Sequence, residues 1–200
     1  FSNIMDNGSK YWTKGRYIMD RNRNILVATN SQKVLNFFLD HPGKEFVEKE
    51  IQRVVKISKS GTNYALRELV QADFLFRNKK GKQNFYSLNY KNPVIKQVKV
   101  TKVIIQIQPL LESFKKLSSK VILFGSSSRG EDIVDSDVDL FIVTHSKVEI
   151  EEKIKKFRFK RKVQPIFRTQ LKYTEMKQTE PVFYGQVSQG IVLWETSDES

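Results

Sequence analysis

Between Val121 and Val143 the chain sets two short apolar runs on either side of a glycine turn, and the second run carries carboxylates at a spacing of two. Val121 to Phe124 is apolar and breaks at Gly125-Ser126, where the lack of a Cβ lets backbone N–H groups come close to phosphate oxygens. In the second run Asp137 and Asp139 alternate with Val138, Leu140 and Ile142. Side chains alternate across a strand, so those three apolar residues are expected on a core and both carboxylates on the opposite face, in one cleft. Two hard oxygen ligands suit Mg²⁺, or Mn²⁺ in its place, with water and a substrate phosphate completing the shell. Asp137 and Asp139 are therefore the candidate metal ligands and catalytic residues.

Charge narrows the partners. The 200 residues hold 35 Lys and Arg against 22 Asp and Glu, a formal net charge of +13, so attraction to polyanions is expected. No apolar stretch approaches the roughly 20 residues that span a bilayer, and nothing at the start reads as a signal peptide. The expectation is a cytoplasmic protein without a membrane partner. The absence of Cys removes disulfides and thiolate metal sites. Asn7-Gly8-Ser9 matches a glycosylation sequon, a pattern common by chance.

The periodicity divides the chain into four stretches. Residues 1–30 form an arm of unassigned role, with Tyr11, Trp12 and Tyr17 among polar groups. Over 31–90, Val34, Leu35, Phe37 and Phe38 predict a helix that stops at Asp40-His-Pro-Gly43, and Glu48 to Val55 a second. A third begins around Ser58 to Gly61, with Ala65, Leu66, Leu69 and Val70 facing inward and Ser58, Ser60, Thr62, Asn63 and Arg67 mostly outward. Phe74 to Tyr86 then reads as two strands about a turn containing Gly81. Residues 91–118 predict a connecting helix, kinked or restarted at Pro109. In 119–200, Ser146-Lys-Val-Glu149 reads as a capping box opening a helix to about Phe157. Lys162 to Phe167 is a further strand, Glu180-Pro181 opens a late helix, and Ile191 to Trp194 is a final apolar run. His41 and His145 read as turn and strand-end residues.

Three helices and a basic hairpin over residues 31–90 resemble the winged helix-turn-helix family. The resemblance implies a recognition helix near 59–72 and a wing near 77–84. Lys59, Ser60, Thr62, Asn63 and Arg67 would approach a DNA groove while Arg77, Lys79, Lys80 and Lys82 grip phosphates. The competing account is a packing or dimerisation module whose lysines are merely solvated, and a homodimer is compatible with either.

Gly125-Ser126, Gly130 and then Ser136-Asp137-Val138-Asp139-Leu140 resemble the G-S-x-x-x-G…S-D-x-D-L signature of the polymerase β-like nucleotidyltransferases, minimal ones above all. The resemblance covers roughly residues 100–195. The implied fold is α/β of the α+β kind: a winged helix-turn-helix followed by a nucleotidyltransferase-fold mixed sheet flanked by helices. It implies that Gly125 and Ser126, with Ser136, hold the triphosphate of ATP or another nucleotide, that Arg129 adds a positive contact, and that Asp137 and Asp139 ligate Mg²⁺. Transfer of a nucleotidyl group to a macromolecule is the activity implied. Family members usually carry a third carboxylate on a neighbouring strand, and its best placement here is Gln164, which is neutral and cannot act as a base.

Two charge runs complete the reading. From Gly130 to Ser146 there are five acids, Glu131, Asp132, Asp135, Asp137 and Asp139, and no Lys or Arg, an island that fits a cation. Glu131 and Asp132 are read as loop acids. Lys153 to Lys172 holds nine cations with Phe157 and Phe159 interleaved, either a solvated face or a surface for RNA, DNA or an acidic partner. Against the transferase stand two alternatives: a catalytically weak or inactive fold acting as a nucleotide-sensing transcription regulator, which Gln164 permits, and an antitoxin-like protein that binds a partner toxin, which the resemblance to the minimal family members implies.

Overall fold

A computed structural model describes residues 27–133 and 136–196. Asp135, the Asn7-Gly8-Ser9 sequon and all but the last four positions of the expected arm lie outside the described residues. The first helix, α1 (Asn30–Leu39), starts where Thr29 and Gln32 cap each other, each side chain accepting from the other's backbone N–H at 3.1 and 2.9 Å. After it come β1 (Phe46–Val47), α2 (Glu48–Val55), α3 (Lys59–Gln71), β2 (Leu75–Lys80) and β3 (Gln83–Leu88), the strands forming an antiparallel sheet in the order β1-β3-β2. Val34, Phe38, Ile51, Ala65, Leu66, Leu75 and Leu88 close its core.

One residue of the expected outward set is not outward. Thr62 is fully buried, because it shares the stripe of Ala65, Leu66 and Leu69 at i+3, i+4 and i+7. Its hydroxyl is satisfied by donating to the Ser58 carbonyl at 2.9 Å, which lets a polar residue sit in the core.

The long helix α4 (Pro93–Phe114) opens with the Asn92 side chain accepting from Val94 N–H at 2.9 Å and with Pro93 in the first turn, where its missing N–H costs nothing. It neither stops nor restarts at Pro109. One backbone hydrogen bond is forfeited there, while buried Leu110, Leu111 and Phe114 hold the last turn down. Ile95 packs in the first core and Val103, Ile107 and Phe114 in a second, so one rod is shared by both. Lys102 adds an ion pair to Asp40 at 2.9 Å, at the end of α1.

The second sheet holds β4 (Lys120–Phe124), β5 (Val138–Val143), β6 (Val163–Arg168) and β7 (Ile191–Glu195) in the order β6-β5-β4-β7. β4 runs antiparallel to both β5 and β7, and β5 parallel to β6, so the sheet is mixed. Helices α5 (Gly125–Arg129), α6 (Lys147–Lys156), α7 (Gln170–Thr179) and α8 (Pro181–Ser188) fill the connections. Val138, Leu140 and Ile142 face α4 and Ile150 of α6, as the alternation requires. Phe141 and Val143 face Met176 of α7 and Val187 of α8. The architecture is mixed α/β with a sheet covered on both sides. Ser146 precedes α6 but makes no capping box: its N–H donates to Thr144 Oγ1 at 2.8 Å, and its side chain caps nothing.

Candidate nucleotide and metal site

Five of the six residues of β5 are buried, and the half-exposed one is Asp139. Its partners are Phe124 on β4 and Gln164 on β6. At this end of the sheet β4 turns into α5 through Gly125, whose φ of 70° falls in the left-handed region. A Cβ on Gly125 would collide with the Asp139 carboxylate, so the glycine is demanded by both backbone and neighbour. The five-residue α5 has no side-chain cap at its start and closes at Gly130, whose N–H donates to the Ser126 carbonyl. Gly130 also has a positive φ, 66°, and a Cβ there would run into the Lys96 backbone; the turn thus rests directly on α4.

The expected phosphate and metal residues gather here, although not all are free. Burial raises the pKa of Asp139 above the usual carboxylate value, and the charge of Asp137 raises it further, while Arg161 opposes both. Among the described residues no Lys or Arg forms an ion pair with either carboxylate. Arg129 is exposed and paired with Glu131 at 2.9 Å, and Glu131 in turn with Lys96 at 3.0 Å. The Ser136 hydroxyl accepts from Ile133 N–H at 2.9 Å, so it is engaged within the chain just ahead of β5.

Asp132 departs from the reading as a loop acid. It is buried, with Oδ2 accepting from Arg161 Nη1 at 2.8 Å and Oδ1 3.3 Å from Lys99 Nζ, an ion-pair contact without hydrogen-bond geometry. Lys99 Nζ also donates to the Asp132 carbonyl. Arg161, expected as one of nine surface cations, is instead largely buried: Nε donates to Ser136 O at 2.7 Å, and Nη2 to Ser127 Oγ at 2.7 Å and Asp137 O at 3.0 Å. Lys99 had a signal in the sequence, since it lies on the i, i+4 stripe of Ile95, Val103 and Ile107 where an apolar residue is expected. Arg161 had none that separates it from Lys160 and Lys162.

Gln164 is the register partner of Asp139 on the adjacent parallel strand, so its side chain leaves the same face of the sheet. It is exposed. Among the described residues no group of three His, Asp or Glu side chains could hold a metal. Among the described residues the donor set fits one divalent cation on two carboxylates and offers no third carboxylate for a second ion.

The remaining expected residues lie elsewhere. Lys59, Ser60, Asn63 and Arg67 line an open groove of about 560 Å³ on α3, together with Glu48, which accepts from Asn63 Nδ2 at 3.3 Å. Arg77, Lys79 and Lys82 are exposed on the β2–β3 hairpin, and Lys80 pairs with Glu45 and lies over the Phe85 ring. Buried Thr62 cannot reach a groove. In the basic run, Lys155, Lys156, Arg158, Lys160 and Lys162 are exposed, whereas Phe157 and Phe159 are partly buried against the core. A larger groove, about 610 Å³, opens at the other end of the sheet between His145, Lys147, Arg168 and Lys172, away from the carboxylates. No described helix is long and apolar enough to cross a membrane.

Residues 105–199 match the family model Polymerase beta, Nucleotidyltransferase. This part of the chain has a nucleotidyltransferase-like fold. Neither the curated proteins nor the solved structures yield a match to the chain. The matched segment begins within α4, so Lys99 lies upstream of it.

Proposed function

We propose that this chain binds a nucleoside triphosphate, ATP or another, together with one Mg²⁺ or Mn²⁺, and that nucleotide occupancy regulates DNA binding by a winged helix in residues 31–90. The observation that carries the reading is the side-by-side placement of Asp139 and Gln164. Two carboxylates with no ion pair support a divalent cation, and the neutral amide beside them offers hydrogen bonds but no base. When bound, the cation neutralises phosphate charge. Gly125 and Ser126 bring backbone close to the phosphates, and Asp137 and Asp139 hold the ion. The order α1-β1-α2-α3-β2-β3 and the exposed Arg77, Lys79 and Lys82 support the winged-helix assignment.

A second reading, nucleotidyl transfer to a macromolecular acceptor, is favoured by the exposed cations from Lys155 to Lys162. They lead along the chain to Val163 and Gln164, and the Lys162 carbonyl pairs with Val138 N–H at 2.9 Å beside the carboxylates. A polyanionic acceptor bound there would reach the site. Calorimetry with Mg²⁺ and each triphosphate, run beside incubation with labelled triphosphate and candidate acceptors, separates the two. Binding without labelling supports the sensor, and labelling abolished by Asp137→Ala supports the transferase. Absence of triphosphate binding, with DNA affinity indifferent to nucleotide, removes both.

A further inference from the structure

Resting on the metal-site reading above, we infer that Arg161, clamped by the buried Asp132, which Lys99 in turn pairs, is the positioning residue that presets the Asp137–Asp139 pair for a divalent cation. A single guanidinium bridges three segments: Ser127 on the glycine turn, Asp132 in the loop, and the backbone of Ser136 and Asp137 at the entry to β5. Two of its four acceptors are the carbonyls immediately before and at the first metal-ligand candidate, so the guanidinium fixes the peptide that aims Asp137. Ser127 Oγ lies 3.3 Å from the Asp137 carbonyl as well, which ties the glycine turn to the same point.

A cation placed there for its charge alone would oppose its neighbours, because a positive group near a cation site weakens it. Its use is geometric: the planar fork spans acceptors in fixed directions, which an ammonium cannot reproduce. Asp132 orients the fork, and Lys99 balances Asp132 from the opposite side, all three being largely withdrawn from water. Lys99 belongs to α4 and lies before residue 105, where the family match begins. The support of this site is therefore completed by a residue from outside the matched segment, on the helix whose first turns pack into the N-terminal core.

The test is Mn²⁺ titration of the full chain by electron paramagnetic resonance, with thermal melts alongside, for the wild type, Asp137→Asn, Arg161→Lys and Arg161→Gln. Outer partners of metal ligands typically govern affinity by about 10–100-fold. Arg161→Lys keeps the charge and loses the fork; about a tenfold loss of Mn²⁺ affinity in a folded protein is expected. Arg161→Gln removes a positive charge and, on electrostatics alone, would tighten binding; positioning predicts that it loosens. Should the Gln variant fail to fold, Arg161→Lys decides. Unchanged or tighter binding in Arg161→Lys overturns the positioning role while wild-type binding, lost in Asp137→Asn, leaves the metal site standing. Wild-type protein that binds no Mn²⁺ overturns the site and the inference with it.

Discussion

Gly125→Ala tests whether the turn and the carboxylate are fitted to one another, and Gly81→Ala supplies the comparison. Both glycines have left-handed φ, 70° and 60°, and an alanine in that region costs about 1–2 kcal/mol. At Gly81, in the turn of the β2–β3 hairpin, a Cβ meets nothing within 4 Å, so backbone strain is the whole cost. At Gly125 the new Cβ falls on the Asp139 carboxylate, which must leave its rotamer at a further cost of about 0.5–1.5 kcal/mol. The expected losses are then about 1–2 kcal/mol for Gly81→Ala and about 1.5–3.5 kcal/mol for Gly125→Ala. The backbone strain is common to both, so at about 2–4 °C per kcal/mol for a chain of this length Gly125→Ala should melt roughly 1–6 °C below Gly81→Ala. Thermal and urea unfolding measure the difference, and Mn²⁺ titration measures the displaced ligand: Gly125→Ala should lose Mn²⁺ affinity and Gly81→Ala should not. If Gly125→Ala proves no less stable than Gly81→Ala, or binds Mn²⁺ like the wild type, the close fit of glycine to carboxylate is wrong.

Asp139→Asn should stabilise the metal-free protein at neutral pH. Burial and Asp137 raise the folded-state pKa of Asp139, so the folded protein holds this proton more tightly than the unfolded chain, and the ionised carboxylate weighs against folding above that raised value. The advantage of Asn should shrink as pH falls toward the ordinary carboxylate value of 3.8, which urea unfolding at several pH values follows. Lys79→Ala and Lys82→Ala should each weaken DNA binding across sequences and reduce its salt slope by about one, read from fluorescence anisotropy against salt. Thr62→Ala should instead lower stability by about 1 kcal/mol with DNA affinity little changed in the folded protein, because its hydroxyl serves the Ser58 carbonyl inside the core. Gln164→Asp should add a third carboxylate beside Asp139 and raise labelling by radioactive triphosphate, or Mn²⁺ stoichiometry, above wild type; neither rising would show that position 164 does not face the site.

The parts legible in the sequence are those whose signal is local. β4 and β5 are written as apolar runs about a glycine, and α1 to α3 as stripes with stops, so their existence follows from neighbours a few positions apart. β1 is two residues long, too short for any alternation to register. In α7 Met176 is buried and Tyr173 partly so within QLKYTEMKQT, which leaves almost no apolar face to detect. Ser146 shows the opposite failure, a good local pattern overridden when Thr144 took its N–H. At the site, Asp137 and Asp139 could be picked out because alternation places them. Asp132 and Arg161 could not, because they are 29 residues apart and each is hidden in a run of like charge.

The acid island between Gly130 and Ser146 now resolves by partner. Glu131 is answered by Lys96 and Arg129, and Asp132 by Lys99 and Arg161, so four cations serve two acids that have no need of a metal. Asp137 and Asp139, among the described residues of the island, are left without an ion pair in a chain of net charge +13. With so many lysines and arginines available, leaving two adjacent carboxylates unpaired carries a cost that a bound divalent cation removes, and one such ion balances them fully. A third carboxylate at position 164 would leave that arrangement one charge negative and suit a second ion; the amide of Gln164 keeps it neutral with one. The amide at position 164, which weakens the case for a general base, thus agrees with the single-metal site proposed above rather than with a two-metal one.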